Sequence, residues 1–174
     1  MIFPKTASAS AALSSGPLSY LPAPVRVPRS ALAAILVGWP LALLPSLALS
    51  FLANALLPQV AGPSFNGQGL GMFALLVLFS PILETLIMAG VLSVLLRLVS
   101  PTTAILASSF GWGIAHSLAA PSWGLVIWWP FLVFSTLFTV WRDRSLWLAL
   151  AIPAAVHMLQ NVGPALLVAT GRLS

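Results

Sequence analysis

Apolar residues fill five long stretches of this chain, divided by short polar or proline-rich breaks. The first runs from Ala31 to Leu57 and contains Pro40 and Pro45, which are expected to kink it. Residues 58–68 (PQVAGPSFNGQ) form an uncharged break. The second stretch, Gly69 to Val99, exceeds the roughly 20 residues that cross a bilayer, so it is expected to tilt, bend or protrude. Pro81 sets a bend within it. The third, Thr102 to Ala119, is rich in small residues (SSFGWG) that let helices approach closely. The fourth, Ser122 to Trp141, has tryptophans near both ends, about 27 Å apart on a helix, as interfacial anchors would be. The fifth starts at Ser145 and runs to Gly163–Pro164, with a short apolar tail to Thr170. No heptad pattern or internal repeat is present. The pattern predicts an all-α integral membrane protein, a bundle of about five transmembrane helices (31–57, 69–99, 102–119, 122–141 and 145–163) in one domain, 31–174. Residues 1–30 are rich in Ser, Ala and Pro and are expected to be a flexible or surface-lying segment.

Composition agrees and narrows the class. The chain is 60% hydrophobic and 5% charged, whereas a soluble domain carries about 25% charged residues. Apolar runs of this length mean spanning helices rather than a barrel. A net charge of +5 would suggest nucleic acid for a soluble protein. Here the basic residues sit at the ends of apolar runs, where they act as orientation signals, and no nucleic-acid partner is expected. With the N-terminus cytoplasmic, Lys5, Arg26, Arg29, Arg97, Arg142 and Arg144 are all inside and only Arg172 is outside. Cysteine is absent, which excludes disulfides and thiolate chemistry.

Against this background the polar residues within the spans stand out. Glu84 is the chain's only glutamate and lies inside an apolar run, where a charge costs roughly 3 kcal/mol on insertion scales. The only two histidines, His116 and His157, also lie inside apolar runs. Measured from the inner end of its own helix, Glu84 is about 20 Å deep, His116 about 21 Å, His157 about 18 Å and Asn161 about 24 Å. Three helices thus place their polar groups in one layer, nearer the outer surface than the inner. His157 and Asn161, four apart, share a helix face, and Ser80 stands one turn before Glu84 on its face.

Three chemistries suit one carboxylate, two imidazoles and one amide. Glu84 as general base, assisted by His116, would activate water, with His157 and Asn161 donating to an oxyanion; that is amide hydrolysis. Alternatively, Glu84, His116 and His157 would bind zinc with an open position, although the zinc-protease signature of two histidines four apart beside a glutamate is absent. The third is a proton or ion relay. The bland reading, a core histidine bonded to a carbonyl, suits one histidine better than four polar residues in one layer.

At these positions the sequence resembles the CPBP family of intramembrane endopeptidases, which includes CAAX prenyl proteases and bacteriocin-processing or self-immunity proteins. The family's first motif, P-x-x-E-E-x-x-F-R-G, compares with PILETLIMAG, matching at Pro81, Glu84 and Gly90. The second, an aromatic residue four before a histidine, is matched by Trp112 and His116; the third, His-x-x-x-Asn, by His157 and Asn161. The resemblance implies that Glu84 and His116 activate water, that His157 and Asn161 stabilise the oxyanion, and that no cofactor is needed, with zinc the less favoured variant. It departs at Thr85 and Ala89, where the family has a glutamate and an arginine. Losing both partners together strands no charge. The expected protein is an intramembrane glutamic-type protease of the bacterial inner membrane. Its surroundings are lipid, and its substrate is a membrane-associated peptide or protein, for example a C-terminal sorting or anchor tail. The alternative is a catalytically silent membrane protein that binds a peptide or partner, as in bacteriocin self-immunity.

Overall fold

In the computed structural model, which describes residues 8–173, helices account for most of the described residues. Two short helices, α1 (Ala9–Ala12) and α2 (Ala23–Arg26), flank a 3₁₀ turn at Pro17–Tyr20. The long helices follow: α3 (Ala31–Leu56), α4 (Gly69–Ala74) running through a π-helical turn at Leu75–Phe79 into α5 (Ser80–Leu98), α6 (Pro101–Ala119), α7 (Trp123–Trp141) and α8 (Leu146–Ala169). No strand occurs among the described residues. Serines start three of the long helices. The side chains of Ser30, Ser100 and Ser145 accept the backbone N–H three residues on, which would otherwise lack a partner.

Among the described residues, four segments are long and apolar enough to cross a membrane: α3, α4–α5 as one unit, α7 and α8. The expected third span, α6, forms as a 19-residue helix but is less apolar, because Thr102, Thr103, Ser108, Ser109 and Ser117 dilute it. Those residues serve packing instead. Ser108 and Ser109 are buried, and Ser135 of α7 donates to Ser108 at 3.1 Å. α7 is the central element, with every residue from Pro130 to Trp141 buried.

The α6–α7 crossing is close enough to demand glycine. A Cβ on Gly124 would collide with the Ser117 side chain and the Gly113 backbone, and one on Gly113 would lie 3.1 Å from Trp128 Cβ. Proline creates a second kind of contact. Pro45 has no N–H for the carbonyl of Leu41, and that carbonyl instead accepts from Trp129 Nε1 of α7 at 2.8 Å.

Two features differ from the sequence reading. The N-terminal segment, expected to be flexible or surface-lying, packs against the bundle from residue 8 onward. Leu13, Leu18, Leu21 and Val25 are buried in the main hydrophobic cluster, and the Asp143 carboxylate accepts from the Ala9 N–H at 3.0 Å. The reason is that apolar residues recur through an otherwise polar stretch and can be buried against the ends of α3 and α7. Residues 1–7, with Lys5, lie outside the described residues. The last helix also does not stop at Gly163–Pro164 but continues to Ala169. Proline there forfeits one hydrogen bond, while Ala165 and Val168 gain burial beyond it.

The bundle has two distinct ends. The N-terminal segment and the 142–145 turn share one, through Ala9 and Asp143. At the other, the 57–68 loop lies over the turn before α7. Ser122 donates its hydroxyl to Ala61 O at 3.0 Å, and Phe65 meets Trp123 edge-on at 5.9 Å.

Candidate active site

The site begins with a defect in a helix. At Leu75–Phe79 the hydrogen bonds lengthen to the i→i−5 pattern, and the Ser80 N–H reaches Leu75 O. The next donor in that register would be residue 81, a proline. The Leu76 carbonyl is therefore left without a backbone donor. It accepts instead from Asn161 Nδ2 of α8 at 2.9 Å. Regular helix resumes at Ser80, and the Ser80 hydroxyl, one turn before Glu84, donates to Glu84 Oε1.

Both imidazoles face the other carboxylate oxygen. His116 Nε2 lies 3.9 Å from Glu84 Oε2, and His157 Nε2 lies 3.8 Å from it. These separations exceed a direct hydrogen bond. His116 stands in the last turn of α6, with Nδ1 2.9 Å from Trp112 O. A carbonyl can only accept, so Nδ1 is the donor. In the neutral ring this leaves Nε2 as an acceptor turned toward Glu84. The aromatic residue four before His116 thus fixes the ring through its backbone.

Three further aromatic side chains shape the pocket. Trp123 meets the His116 ring edge-on at 4.8 Å, Phe134 stacks on His157 at 4.6 Å, and Phe131 lies 5.8 Å from His116 and 5.5 Å from His157. The sequence pattern marks Trp123 as an interfacial anchor and does not single out the phenylalanines. The signal was available in their spacing, since positions 123, 131 and 134 share one helix face. His157 is buried, and its Nδ1 has no hydrogen-bond partner among the described residues.

The four expected residues are therefore not equivalent. Glu84, His116 and His157 converge on one carboxylate oxygen, whereas the contact found for Asn161 is with backbone at the α4–α5 junction. Thr85 and Ala89 point elsewhere. They lie on the buried face of α5 with Pro81, Met88 and Leu92, one turn apart, where a glutamate and arginine would pair inside the bundle. Small residues fill that space here, and Thr85 Oγ1 has no partner.

The carboxylate–imidazole separations are wider than those within a zinc shell. Tetrahedral ligands with bonds near 2.1 Å stand about 3.4 Å from one another, and the carboxylate–imidazole separations here are 3.8 and 3.9 Å. Among the described residues no group of three or more His, Cys, Asp or Glu is arranged to hold a metal. The geometry suits a small polar molecule shared between two acceptors, the Glu84 carboxylate and the His116 Nε2.

One protein-family model matches residues 66–163, more than half of the chain: Rce1-like, the type II CAAX prenyl endopeptidases. The matched region runs from the loop before α4 to just past Asn161 and so contains all four site residues. No curated protein and no solved structure matches.

Proposed function

This chain belongs to the Rce1-like type II CAAX prenyl endopeptidase family, and on that premise we propose that it hydrolyses a peptide bond within the membrane by glutamate-activated water. The single observation that carries the reading is the pairing of Glu84 Oε2 with His116 Nε2 at 3.9 Å. Two acceptors at this distance cannot bond to each other, but one water donates a proton to each. The Glu84 carboxylate takes one proton as the water oxygen bonds to the scissile carbonyl carbon. His116 orients the water through the second. The carbonyl oxygen becomes an oxyanion, received by His157 and by the amide N–H of Asn161 that is not spent on Leu76. Glu84 then returns its proton to the nitrogen, the C–N bond breaks, and an acid and an amine leave.

The uneven charge of the two bundle ends supports one side of the membrane for the site. His116 stands in the last turn of α6, toward the uncharged loop 57–68 and away from Arg97, Arg142 and Arg144. With the basic end cytoplasmic, cleavage occurs near the outer leaflet. A membrane-anchored peptide tail, such as a C-terminal sorting segment, suits that position better than a cytosolic prenylated peptide. The membrane is a bacterial inner membrane in this reading, and the reaction needs no metal.

The test is proteolysis of membrane-tethered peptides by purified protein in liposomes, beside Glu84→Gln. Cleavage that survives chelator and falls by about 10²–10⁴-fold in the variant is the expected result. Cleavage lost to chelator and restored by zinc would replace this mechanism with a metal one. Normal cleavage by Glu84→Gln would sink it. One observation favours a second reading, a silent peptide-binding protein: the acid–arginine pair of the first motif is replaced by Thr85 and Ala89. That reading predicts full biological function in Glu84→Gln and His116→Ala.

A further inference from the structure

The missing acid–arginine pair raises the question of what holds Glu84 in this chain. The contacts answer with backbone. Glu84 rides on the first turn of α5 after a π-helical turn, and a turn with an extra residue per hydrogen-bonded ring is easily lost to regular helix. Losing it would rotate everything beyond Phe79 about the helix axis, Ser80 and Glu84 included. In the regular register the Ser80 N–H would serve Leu76 O; in the π register it goes to Leu75 O and Pro81 offers Leu76 no N–H, so the turn persists only if another donor takes that carbonyl. The side-chain amide of Asn161 supplies the donor that the backbone cannot, at 2.9 Å. The same device recurs elsewhere in the bundle, where Trp129 takes the Leu41 carbonyl freed by Pro45.

We propose that Asn161 is a positioning residue: its amide clamps the carbonyl freed by Pro81, holds the π turn at 75–79, and so sets the rotation at which Ser80 and Glu84 face His116 and His157. The clamp stands on geometry alone. Its importance for cleavage rests on the hydrolytic reading above. Asn161 sits one turn beyond His157 on α8, so the helix that carries one imidazole also sets the carboxylate opposite it. The clamp thereby does from α8 what an ion pair would do within α5.

A double-mutant cycle with Pro81→Ala tests this. Alanine restores an N–H at position 81, so Leu76 regains a backbone donor whether the turn stays π or relaxes, and Asn161 loses that task. The first readout needs no activity: the rate at which a hydrophobic carbodiimide labels Glu84, followed by mass spectrometry on the peptide holding the chain's only glutamate. Asn161→Ala should change that rate about threefold or more when residue 81 is proline, and leave it nearly unchanged when residue 81 is alanine. Equal effects in both backgrounds would overturn the clamp. Should Asn161→Ala not yield folded protein, Asn161→Ser, which keeps a donor but is too short to reach, takes its place. The second readout is cleavage by the same four proteins. The turnover lost in Asn161→Ala should be smaller in the alanine background, by the part that positioning contributes, and what remains there is its oxyanion part. A full loss there would leave Asn161 only its oxyanion role and overturn the positioning one. A wild-type chain that cleaves nothing would refute the hydrolytic reading, and the labelling cycle would still decide the clamp.

Discussion

Glu84 has one oxygen on the Ser80 hydroxyl and the other turned to both imidazoles. The first contact restricts the carboxyl's rotation; the second defines its work. Hydrogen bonds to charged groups contribute about 1.5–3 kcal/mol, so Ser80→Ala should lower kcat about 10- to 100-fold while KM changes little. Steady-state kinetics on a tethered peptide would check this; an unchanged kcat would mean that Ser80 does not hold the carboxylate. His116 offers a sharper comparison. Its Nδ1 is spent on Trp112 O, so only Nε2 is free to meet a water. His116→Gln should lose about 10²-fold or more in turnover yet remain folded, as judged by its unfolding midpoint in detergent. Ser80 is legible in the sequence, since it precedes Glu84 by one helical turn. The tautomer of His116 is not, because it depends on where a backbone carbonyl four residues away points.

Helix faces decide the next level. The small residues of α6 are the reason it can lie against α7, and the crossing at Gly113 and Gly124 stands one turn from His116. Gly124→Ala forces a methyl into the Ser117 side chain and the Gly113 backbone, an overpacking that costs about 1–3 kcal/mol. A thermal midpoint lowered accordingly is the expected outcome, with turnover reduced because His116 moves with the crossing. A midpoint equal to that of the parent would show that the helices have room to spare. Proline contacts yield a second prediction at this scale. Trp129→Phe strips the Leu41 carbonyl of its donor and should cost about 1–3 kcal/mol, but little in a chain that also carries Pro45→Ala. Measuring unfolding midpoints for the four proteins tests the pairing; equal losses in both backgrounds would refute it.

For the molecule as a whole, the two ends of the bundle carry different burdens. One gathers Arg97, Arg142, Arg144 and the N-terminal segment, tied down by Asp143 on Ala9. The other holds the uncharged loop over Trp123 and His116. Asp143→Ala should free the N-terminal segment, so that protease added at that face trims it much faster while peptide cleavage continues unchanged. Equal trimming rates would show that the buried Leu13, Leu18 and Val25 hold the segment without help. Compartment reporters fused to the two termini should place the N-terminus inside and the C-terminus outside; the reverse pattern would move the proposed cleavage to the cytoplasmic leaflet.

The all-helical membrane class was determined by sequence alone, because long unbroken apolar runs suit spanning helices and lack the alternation of a barrel's strands. So was the meeting of Glu84, His116 and His157. A charge placed in an apolar run needs partners, and the chain holds only two histidines to offer at that depth. The family motifs were legible for the same reason, since they are local spacings. What depended on contacts between distant segments was not legible. The N-terminal segment looked free because no local pattern shows that Leu13 and Val25 will meet α3 and α7. The place of Asn161 beside His157 was legible because it is local, whereas its bond to Leu76 spans 85 residues. The sequence shows that Pro81 removes an N–H. Only the packed bundle decides where the π turn forms, which carbonyl is left over, and which side chain is near enough to take it.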